Sequence, residues 1–310
     1  MDHYLAPMEG ITGYLYRNAV REIFGDPYTR YFTPFIVPRP KAGMQKKERR
    51  DMLPENNSGI DLVPQILSNN AADVLQLTHE IRESYGYEEF NLNFGCPSST
   101  VTSGGRGAGM LKDPTALDHM LEELFAQTTV KISVKTRIGI EDPEEYEALF
   151  AVYEKYPLTE LIIHPRVLTD LYKKPARPEY FARIRQKSRL PLVYNGDIFR
   201  PEDEAEKLPD PAGVRAVMLG RGAIADPALP RRLHGGAPAF AEELRAFHDR
   251  IYYGYLEVFG DPTPVLFHMK ELWGFMSSLC PGGEKPLKRL RKAKAPAEYL
   301  AAVRELLQFI

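Results

Sequence analysis

The stretch FNLNFGCPSSTVTSGGRGAG, residues 90–109, begins as an alternation of apolar and polar residues and continues as a cysteine, a proline, hydroxyl residues and glycines. Phe90, Leu92 and Phe94 alternate with polar neighbours, which predicts a β-strand. Cys96 follows directly, at the carboxyl end of that strand. In barrels built from alternating strands and helices, the chemistry is located at this end of the strands. The stretch therefore predicts a strand and a functional thiol at its mouth.

Short apolar segments of this kind recur at intervals of roughly 30 residues, the spacing of βα units. They are HYLAPM (3–8), YFTPFI (31–36), DLVPQIL (61–67), FNLNFG (90–95), KISVKTRIG (131–139), ELIIHPR (160–166), PLVYNGDI (191–198) and AVMLGRG (216–222). Helix starts lie between them, at Asp113-Pro114 and at Asp142-Pro143, where an N-cap precedes a proline in the first turn. Eight such strands close a barrel, so we predict an α/β protein with a TIM (β/α)8 barrel.

The alternation of strands and helices stops near Ala237, and the rest of the sequence has helical patterns only. We therefore predict a barrel domain at residues 1–236 and a small all-helical C-terminal domain at residues 237–310, with the boundary in a Gly-Gly-Ala-Pro stretch. An open doubly wound sheet is the alternative. It is disfavoured because the first turn, PMEGITG, is not a GxGxxG fingerprint and GGRGAG at 104–109 lacks the glycine spacing.

Composition narrows the functional class. The 310 residues carry a formal net charge of −2, so nucleic-acid binding would have to use local basic patches. Cys96 and Cys280 lie far apart, and neither a disulfide framework nor a metal site is predicted. The N-terminus does not resemble a secretion signal, and no apolar run is long enough to span a membrane. We expect a cytoplasmic protein with no membrane association and no obligate protein partner.

Polar or small residues recur where the predicted strands end. They are Glu9, Gln65, Asn93, Cys96, Lys135, Arg137, His164, Arg166, Asn195 to Asp197, Gly220 and Arg221. Such a recurrence predicts one mouth lined with donors and cations. The seventh and eighth strands end in Asn-Gly-Asp and Gly-Arg-Gly, where barrels commonly bind phosphate through backbone amides. A phosphorylated cofactor is therefore predicted.

Lys135 ends an apolar strand and would point into the barrel. A buried cation must meet an anion or shift its pKa. Two roles follow from this requirement. The amine could stabilise the anionic edge of a reduced flavin, or it could form a Schiff base as in aldolases.

Six motifs in order carry a resemblance to a known family. They are APMEGITGYLYR at the first strand, NLNFGCPSSTV at the fourth, VKTRIG at the fifth, IIHPRVLTDLY at the sixth, YNGDI at the seventh and MLGRG at the eighth. Together the set resembles the dihydrouridine synthases. The resemblance implies an oxidoreductase that uses FMN on a TIM barrel and reduces particular uridines in tRNA with NADPH, and it implies a helical RNA-recognition domain after the barrel.

The resemblance also implies site residues. FMN would lie against Pro7, Met8 and Glu9, with Gln65 and Lys135 at the edge of its ring, and its phosphate at Asn195, Gly196, Asp197, Gly220 and Arg221, near His164. Cys96 matches the proton donor of the family, and Asn93, Arg137 and Tyr172 would contact the uracil. The loop after Cys-Pro lacks the basic pair that often occurs in the family, which leaves the target uridine open.

The expected chemistry agrees with these residue types. A hydride delivered from flavin N5 to uracil C6 leaves negative charge on the C5 and O4 side, so a cation is needed nearby and an acid is needed over C5. A cysteine thiol ordinarily has a pKa of about 8.5 and is mostly protonated at neutral pH. Cys96 could therefore give a proton to C5 without a neighbouring base.

A uracil inside folded tRNA reaches such a mouth only when it is extruded from its stack. Phosphate contacts must then hold the RNA. Basic residues cluster in two segments and beside the mouth: Arg39, Lys41, Lys46, Lys47, Arg49 and Arg50; Lys285, Lys288, Arg289, Arg291, Lys292 and Lys294; and Lys173, Lys174 and Arg177. These clusters, on a slightly acidic chain, predict the RNA-binding surface.

Three other functions share part of this pattern. An FMN-dependent dehydrogenase or reductase of a free pyrimidine such as dihydroorotate would share the cofactor and the catalytic cysteine, but it would not need the basic helical extension. A flavin-free aldolase would use Lys135 as a Schiff base. An RNA-binding protein with an inactive barrel would not need Cys96 and Lys135, and both are present. The modified position, tRNA against ribosomal RNA, NADPH against NADH, and the oligomeric state stay open.

Overall fold

The computed structural model describes residues 1–39 and 41–310. Nine strands form one parallel sheet in the order β3-β2-β1-β9-β8-β7-β6-β5-β4. Their bounds are β1 Asp2–Leu5, β2 Arg30–Phe32, β3 Leu62–Val63, β4 Gln65–Ile66, β5 Glu89–Phe94, β6 Lys131–Gly139, β7 Leu161–Val167, β8 Leu192–Tyr194 and β9 Val214–Leu219.

The two ends of this sheet are joined through Pro64. β3 pairs with β2 and β4 pairs with β5, and only Pro64 lies between β3 and β4. Proline has no N–H to give to a neighbouring strand, but its carbonyl still accepts a bond of 3.0 Å from the N–H of Asn91. β3 and β4 are therefore one interrupted strand, and eight strands close the barrel. The predicted TIM-barrel class and the single strand at 61–67 are confirmed.

Fourteen α-helices cover the barrel and follow it, within the part of the chain that the structure describes. They are α1 Tyr14–Phe24, α2 Lys46–Met52, α3 Ala71–Tyr85, α4 Ser99–Thr102, α5 Pro114–Phe125, α6 Tyr146–Tyr153, α7 Pro178–Lys187, α8 Pro201–Lys207, α9 Arg221–Ala225, α10 Leu229–Leu233, α11 Ala241–Phe259, α12 Pro262–Met276, α13 Glu284–Lys292 and α14 Pro296–Leu306. Asp113 caps α5 as predicted, since its Oδ1 accepts the N–H groups of Thr115 and Ala116 at 3.0 and 3.1 Å. Asp142 caps a short 3-10 turn that leads into α6.

The core has two layers. Alternate residues of the strands, among them Tyr4, Phe32, Ile162 and Met218, form a small apolar cluster inside the barrel. The intervening residues pack outward against the helices in a much larger cluster. This division follows from the two-residue period of a strand, which sends successive side chains to opposite faces.

The helices after the barrel share its outer core. Phe247 of α11 contacts the rings of Tyr16 and Phe24 of α1, with centroids 5.5 and 5.7 Å away. Gly254 of α11 lies so close to α1 that a Cβ there would be 2.8 Å from a methyl group of Leu15. Helix α11 is therefore packed directly against α1, and α12 also packs against α9 of the barrel. Within residues 1–39 and 41–310, no helix is both long and apolar enough to cross a membrane.

Candidate active site

A cavity of about 530 Å³ opens at the carboxyl ends of the strands. Its walls come from β6 and β7, from the end of β9, and from the segments that follow β1, β7, β8 and β9. This is the face on which TIM barrels carry their active sites. The residues that line it are Ala6, Pro7, Met8, Lys135, His164, Tyr172, Asn195, Gly196, Asp197, Ile198, Phe199, Met218, Leu219, Gly220, Arg221 and Gly222.

At one end of this cavity the loops after β8 and β9 meet backbone to backbone. A Cβ on Gly222 would lie 1.9 Å from the carbonyl oxygen of Ile198, so only glycine fits there. Strands β8 and β9 are also tied by the side-chain amide of Asn195, which donates to the Met218 carbonyl at 2.7 Å. Both loops therefore keep their backbone groups at the cavity wall in a fixed arrangement.

Asp197 is held in the left-handed region, with φ of 49°. Its carboxylate accepts hydrogen bonds from Arg166, from the Ala176 N–H at 2.8 Å and from Arg221 at 2.8 Å. Burial raises the pKa of Asp197. The hydrogen bonds from Arg166 and the Ala176 N–H and the positive charges of Arg166 and Arg221 lower the pKa by more than burial raises it, so the net shift is downward. These bonds stabilise a strained backbone, as strained positions at functional sites require.

Positive charge exceeds negative charge around the cavity. Lys135 and Arg221 line it, and Arg166 is buried behind it. Asp197 is the carboxylate that lines the same wall, and Arg166 and Arg221 already share it. Because buried charge is costly unless it is balanced, this excess indicates a site for an anionic ligand.

Lys135 carries the clearest sign of that imbalance. Burial, together with the nearby charge of Arg137, lowers the pKa of its amine to about 7, while Cys96 opposes the shift. Among residues 1–39 and 41–310 the amine has neither an ion pair nor a hydrogen bond. An anion next to Lys135 would restore its positive charge at neutral pH.

His164 is a neutral hydrogen-bond donor. Its Nε2 lies 2.6 Å from a guanidinium nitrogen of Arg166, and because arginine stays protonated, Nε2 must be the acceptor. Burial lowers the pKa of His164 well below its ordinary value, and the charges of Arg137, Lys135 and Arg166 add to this effect. The ring proton is therefore on Nδ1, which has no partner in the described part of the chain.

Cys96 is held by the asparagine that precedes it. The Oδ1 atom of Asn93 accepts the N–H groups of Gly95 and Cys96 at 3.1 and 2.9 Å, and the Cys96 carbonyl accepts the Ala108 N–H at 3.0 Å. A Cβ on Gly107 would lie 2.8 Å from that carbonyl, and its φ is +57°. Cys96 is free and half-buried, within electrostatic reach of Lys135.

A hydrogen-bonded network fills the polar half of the barrel interior. Gln65 donates to Asn91 at 2.8 Å, Asn91 donates to Ser133 at 2.9 Å, and Asn93 donates to Gln65 at 2.8 Å. All four side chains are buried. The network fixes Asn93 and through it the Cys96 loop. Sequence reasoning missed Asn91 and Ser133, although the alternation in FNLNF places Asn91 on the same face as Asn93.

Arg137 and Tyr172 form the outer side of the mouth. Arg137 is fully buried and donates to the carbonyls of Gly95, Val167 and Leu171 at 2.9, 3.0 and 3.2 Å. Its Nη2 is buried and has no partner within residues 1–39 and 41–310. The Tyr172 ring is 50% exposed. The guanidinium groups of Arg221, Arg137 and Arg166 lie 4.2, 5.4 and 6.0 Å from its centroid, distances at which cations attract an aromatic face.

Most of the predicted site residues line the cavity; Cys96 and Arg137 do not line it but lie within electrostatic reach of Lys135, and Glu9, Gln65 and Asn93 lie elsewhere. Glu9 is exposed, forms an ion pair with Lys47 at 2.8 Å and faces a second cleft. Gln65 and Asn93 lie buried beneath the mouth and are held by the interior network. Arg166, which ends the sixth predicted strand, received no role from the sequence, yet it connects His164 to Asp197.

The predicted basic clusters lie partly in ion pairs. Arg39 pairs with Glu48, Lys47 with Glu9 and Arg177 with Asp170. In α13, Arg289 pairs with Glu305, and Lys285, Lys288 and Lys292 are exposed. Each cluster keeps exposed basic residues without an ion pair in the described part of the chain, and these could contact phosphates; they are Lys41, Lys46 and Arg49, Lys173, and Lys285, Lys288, Arg291, Lys292 and Lys294.

Comparison with known proteins supports one family. The family described as dihydrouridine synthase (Dus) matches residues 4–251. A tRNA-dihydrouridine(16) synthase of Shewanella oneidensis is 30% identical over 253 residues, which cover 76% of this chain and 76% of the relative. A tRNA-dihydrouridine(20/20a) synthase of Xanthomonas campestris is 31% identical over 203 residues, which cover 61% and 59%.

Solved structures support the fold independently. Morphinone reductase superposes with a TM-score of 0.54 over 79% of this chain and 88% of that protein, at 13% identity. At this identity the likeness concerns the barrel only. The family match spans most of the chain, including every strand end that lines the cavity. The chain belongs to the dihydrouridine synthase family.

Proposed function

We propose that this protein is an oxidoreductase that reduces a uridine of tRNA to 5,6-dihydrouridine, with FMN as the bound cofactor, NADPH as the reductant and Cys96 as the proton donor. The observation that carries the proposal is the convergence of Cys96, Lys135, Arg137 and His164 on one barrel mouth, without a carboxylate partner for Lys135 in the described residues. Such a mouth suits a reaction in which negative charge develops on the substrate.

The residues present fit a flavin phosphate. The wall formed by Gly220, Arg221 and Gly222 has the closely packed glycine backbone and the cation that a phosphate requires. Asp197 would not repel the phosphate strongly, because Arg166 and Arg221 both pair with it.

Asn195, Gly196, Gly220, Arg221 and the backbone of Asp197 would therefore hold the phosphate of FMN. Pro7 and Met8 would contact its ring, with Lys135 and His164 near the ring edge. Gln65, buried below the cavity, would hold Asn93 in place through their hydrogen bond, and Glu9 would lie at the rim of the cofactor site. When bound, FMN supplies the hydride that uracil C6 receives.

Cys96 completes the reduction on the other carbon. Saturating the C5–C6 bond requires a hydride at C6 and a proton at C5. The Sγ–H of Cys96 gives that proton, and the thiolate that remains lies within reach of the positive charge of Lys135 and Arg137. Because Cys96 is half-buried at the mouth, solvent can return the proton afterwards.

Three residues would position the uracil. The buried Nη2 of Arg137 is an unused donor, suited to a carbonyl oxygen of the base. Asn93 has one N–H left after its bond to Gln65, and it would contact the same base while its oxygen holds the Cys96 loop. The Tyr172 ring, fixed by cation–π contacts, would stack on the extruded base or its ribose.

The rest of the tRNA would bind to basic helices. We propose that residues 1–236 form the catalytic domain and that residues 237–310 form an RNA-binding domain, with the exposed lysines of α13 on tRNA phosphates. The protein would act in the cytoplasm. The Shewanella relative is named for position 16 and the Xanthomonas relative for positions 20 and 20a. Position 16 is the first site that we propose for this chain, because the match to the Shewanella relative covers more of both proteins.

The test is to incubate the purified protein with NADPH and a tRNA transcript that carries no modifications. Nuclease digestion and mass spectrometry then locate any uridine that has gained two hydrogens. A gain at position 16 supports the proposal in full, and a gain at 20 or 20a supports the reaction but not the position. A protein that oxidises NADPH without changing the tRNA would contradict the proposal. Ribosomal RNA and free dihydroorotate would then be the next substrates to assay.

A further inference from the structure

A second cleft of about 1,070 Å³ lies beside the cavity described above. It is bounded by the loop after β1, by the loop after β2 with α2, and by α11 and α12. We call it the aromatic cleft and define it by Tyr14, Phe35, Arg50, Tyr255, Phe259 and His268. None of these six residues has a role in the proposed reduction.

Three rings of the aromatic cleft are nearly parallel. The centroids of Tyr255 and His268 are 4.8 Å apart at 12°, those of Tyr255 and Phe259 are 5.6 Å apart at 4°, and those of Phe259 and His268 are 5.6 Å apart at 8°. Tyr255 and Phe259 come from α11 and His268 comes from α12, so two helices fix the group. The three rings stack on one another, and Phe259 is the exposed member of this platform. The exposed face of such a platform suits a flat ligand, and nucleobases bind to single-strand sites by stacking on aromatic side chains.

Charge in the aromatic cleft favours an anion on one side. Its carboxylates are already paired, Glu9 with Lys47, Glu48 with Arg39 and Asp51 with Arg17. Arg50 has no carboxylate partner among residues 1–39 and 41–310, and its buried Nε has no hydrogen-bond partner there.

The opposite side of the aromatic cleft is less suited to an anion. The carboxylate of Glu271 lies within 4 Å of the position that a Cβ on Gly10 would take. A phosphate would therefore bind near Arg50, with its base directed toward the rings of α11 and α12.

The aromatic cleft also adjoins the reaction site. Pro7 and Met8 line the first cavity, and the next two residues, Glu9 and Gly10, line the aromatic cleft. The carbonyl of Gly10 lies 3.2 Å from Nδ1 of His268, which connects α12 to this segment. A strand of RNA that places one base in the first cavity can thus place a nearby base in the second.

We propose that the aromatic cleft binds a second extruded base of the same RNA, close in sequence to the target uridine. The base would stack on the Tyr255, Phe259 and His268 platform and its phosphate would pair with Arg50. This inference rests on the proposed function, because it requires an RNA substrate. It assigns to α11 and α12 a direct role in selecting which uridine enters the active site.

The experiment compares Phe259→Ala and His268→Ala with two matched controls. Tyr253 of α11 and Phe267 of α12 are 56% and 70% exposed, and neither lines the aromatic cleft. The dissociation constant for a fluorescein-labelled, unmodified tRNA transcript is measured by anisotropy, together with thermal unfolding and flavin content. Loss of one stacked base should raise the dissociation constant about fivefold to a hundredfold. Tyr253→Ala and Phe267→Ala should bind like the unchanged protein.

Two further measurements make the test specific to a base. A series of transcripts is prepared, each with a single abasic residue near the target uridine. One of them should bind the unchanged protein more weakly than the intact transcript does. Phe259→Ala should bind that abasic transcript and the intact transcript equally well, because this variant already lacks the stacking surface for the missing base. Arg50→Gln should lower the slope of log affinity against log salt by about 0.7.

The inference is wrong if the protein makes dihydrouridine while Phe259→Ala and His268→Ala bind tRNA like the controls. It is also wrong if each abasic residue lowers the affinity for tRNA by the same factor in the variants and in the unchanged protein. If the unchanged protein neither binds tRNA nor makes dihydrouridine, the proposed function fails and the inference fails with it.

Discussion

Lys135 should destabilise the protein when no anion lies beside it. Its pKa is lowered from 10.5 to about 7 by burial, with Arg137 adding to the effect. At about 1.36 kcal/mol per pKa unit, this shift corresponds to about 5 kcal/mol. Because Lys135 borders an open cavity, water screens part of this cost, and we expect about 2 kcal/mol. Lys135→Met, which keeps the shape without the charge, should therefore stabilise the flavin-free protein.

The number of protons bound in the folded and unfolded states determines the direction of the effect of Lys135 on stability and the pH range in which that effect changes. The pKa of Lys135 is lower in the folded state than in the unfolded state, so the unfolded chain binds the extra proton between pH 7 and pH 10.5. The penalty is complete below pH 7 and disappears as the pH approaches 10.5. The advantage of Lys135→Met should accordingly be largest at pH 7 or below and should shrink as the pH rises.

Thermal unfolding of the flavin-free proteins measures this effect. For a chain of this length, 1 kcal/mol corresponds to about 1.5 °C, so Lys135→Met should raise the Tm by about 3 °C at pH 7. Lys131→Met, at the exposed first residue of the same strand, is the matched control and should leave the Tm unchanged. The same Lys135→Met protein should bind FMN more weakly in a fluorescence titration. A Tm that does not rise, or a gain that is independent of pH, would refute the reasoning.

Two other predictions concern the cofactor end and the RNA surface. Gly222→Ala should destabilise the protein by about 1–3 kcal/mol and reduce its FMN content, because the added Cβ would meet the Ile198 carbonyl at 1.9 Å. The control is Gly274→Ala, where a Cβ meets nothing within 4 Å. Equal melting curves for the two variants would contradict this prediction. Replacing Lys285, Lys288 and Lys292 by Gln should reduce the salt slope of tRNA binding by about 0.7 for each phosphate that is no longer neutralised, at unchanged flavin content. Lys131→Gln and Lys187→Gln are the controls. If the α13 variant has the same salt slope of tRNA binding as these controls, α13 does not contact the RNA.

Much of the barrel could be predicted from the sequence because its strands are marked by local patterns. Phe90, Leu92 and Phe94 alternate as a strand requires, and Asp113 caps a helix through its own side chain. The ends of the strands were less predictable. β8 and β9 stop at Tyr194 and Leu219, where the apolar runs end, and not at the ends of the predicted segments 191–198 and 216–222, because the following polar and glycine residues leave the sheet to form the cavity wall.

The site could be predicted at the level of strand ends but not at the level of individual contacts. Arg221 reaches the cavity because it follows the end of β9, whereas Lys135 and His164 reach it from within β6 and β7, which continue for four and three residues beyond them. Glu9 lies only one residue beyond Met8, yet it turns toward Lys47, a partner 38 residues away. Arg166 binds Asp197 across 31 residues. Pairings of this kind depend on the closed barrel, and no local pattern predicts them.

The central claim is that Cys96 delivers a proton to a tRNA uridine at this mouth. The most direct measurement is the yield of dihydrouridine, by nuclease digestion and mass spectrometry, from unmodified tRNA with the unchanged protein and with Cys96→Ala side by side. We predict that Cys96→Ala keeps its FMN and oxidises NADPH normally, yet forms dihydrouridine about a hundredfold more slowly or not at all. Dihydrouridine formed at the normal rate by Cys96→Ala would contradict the account.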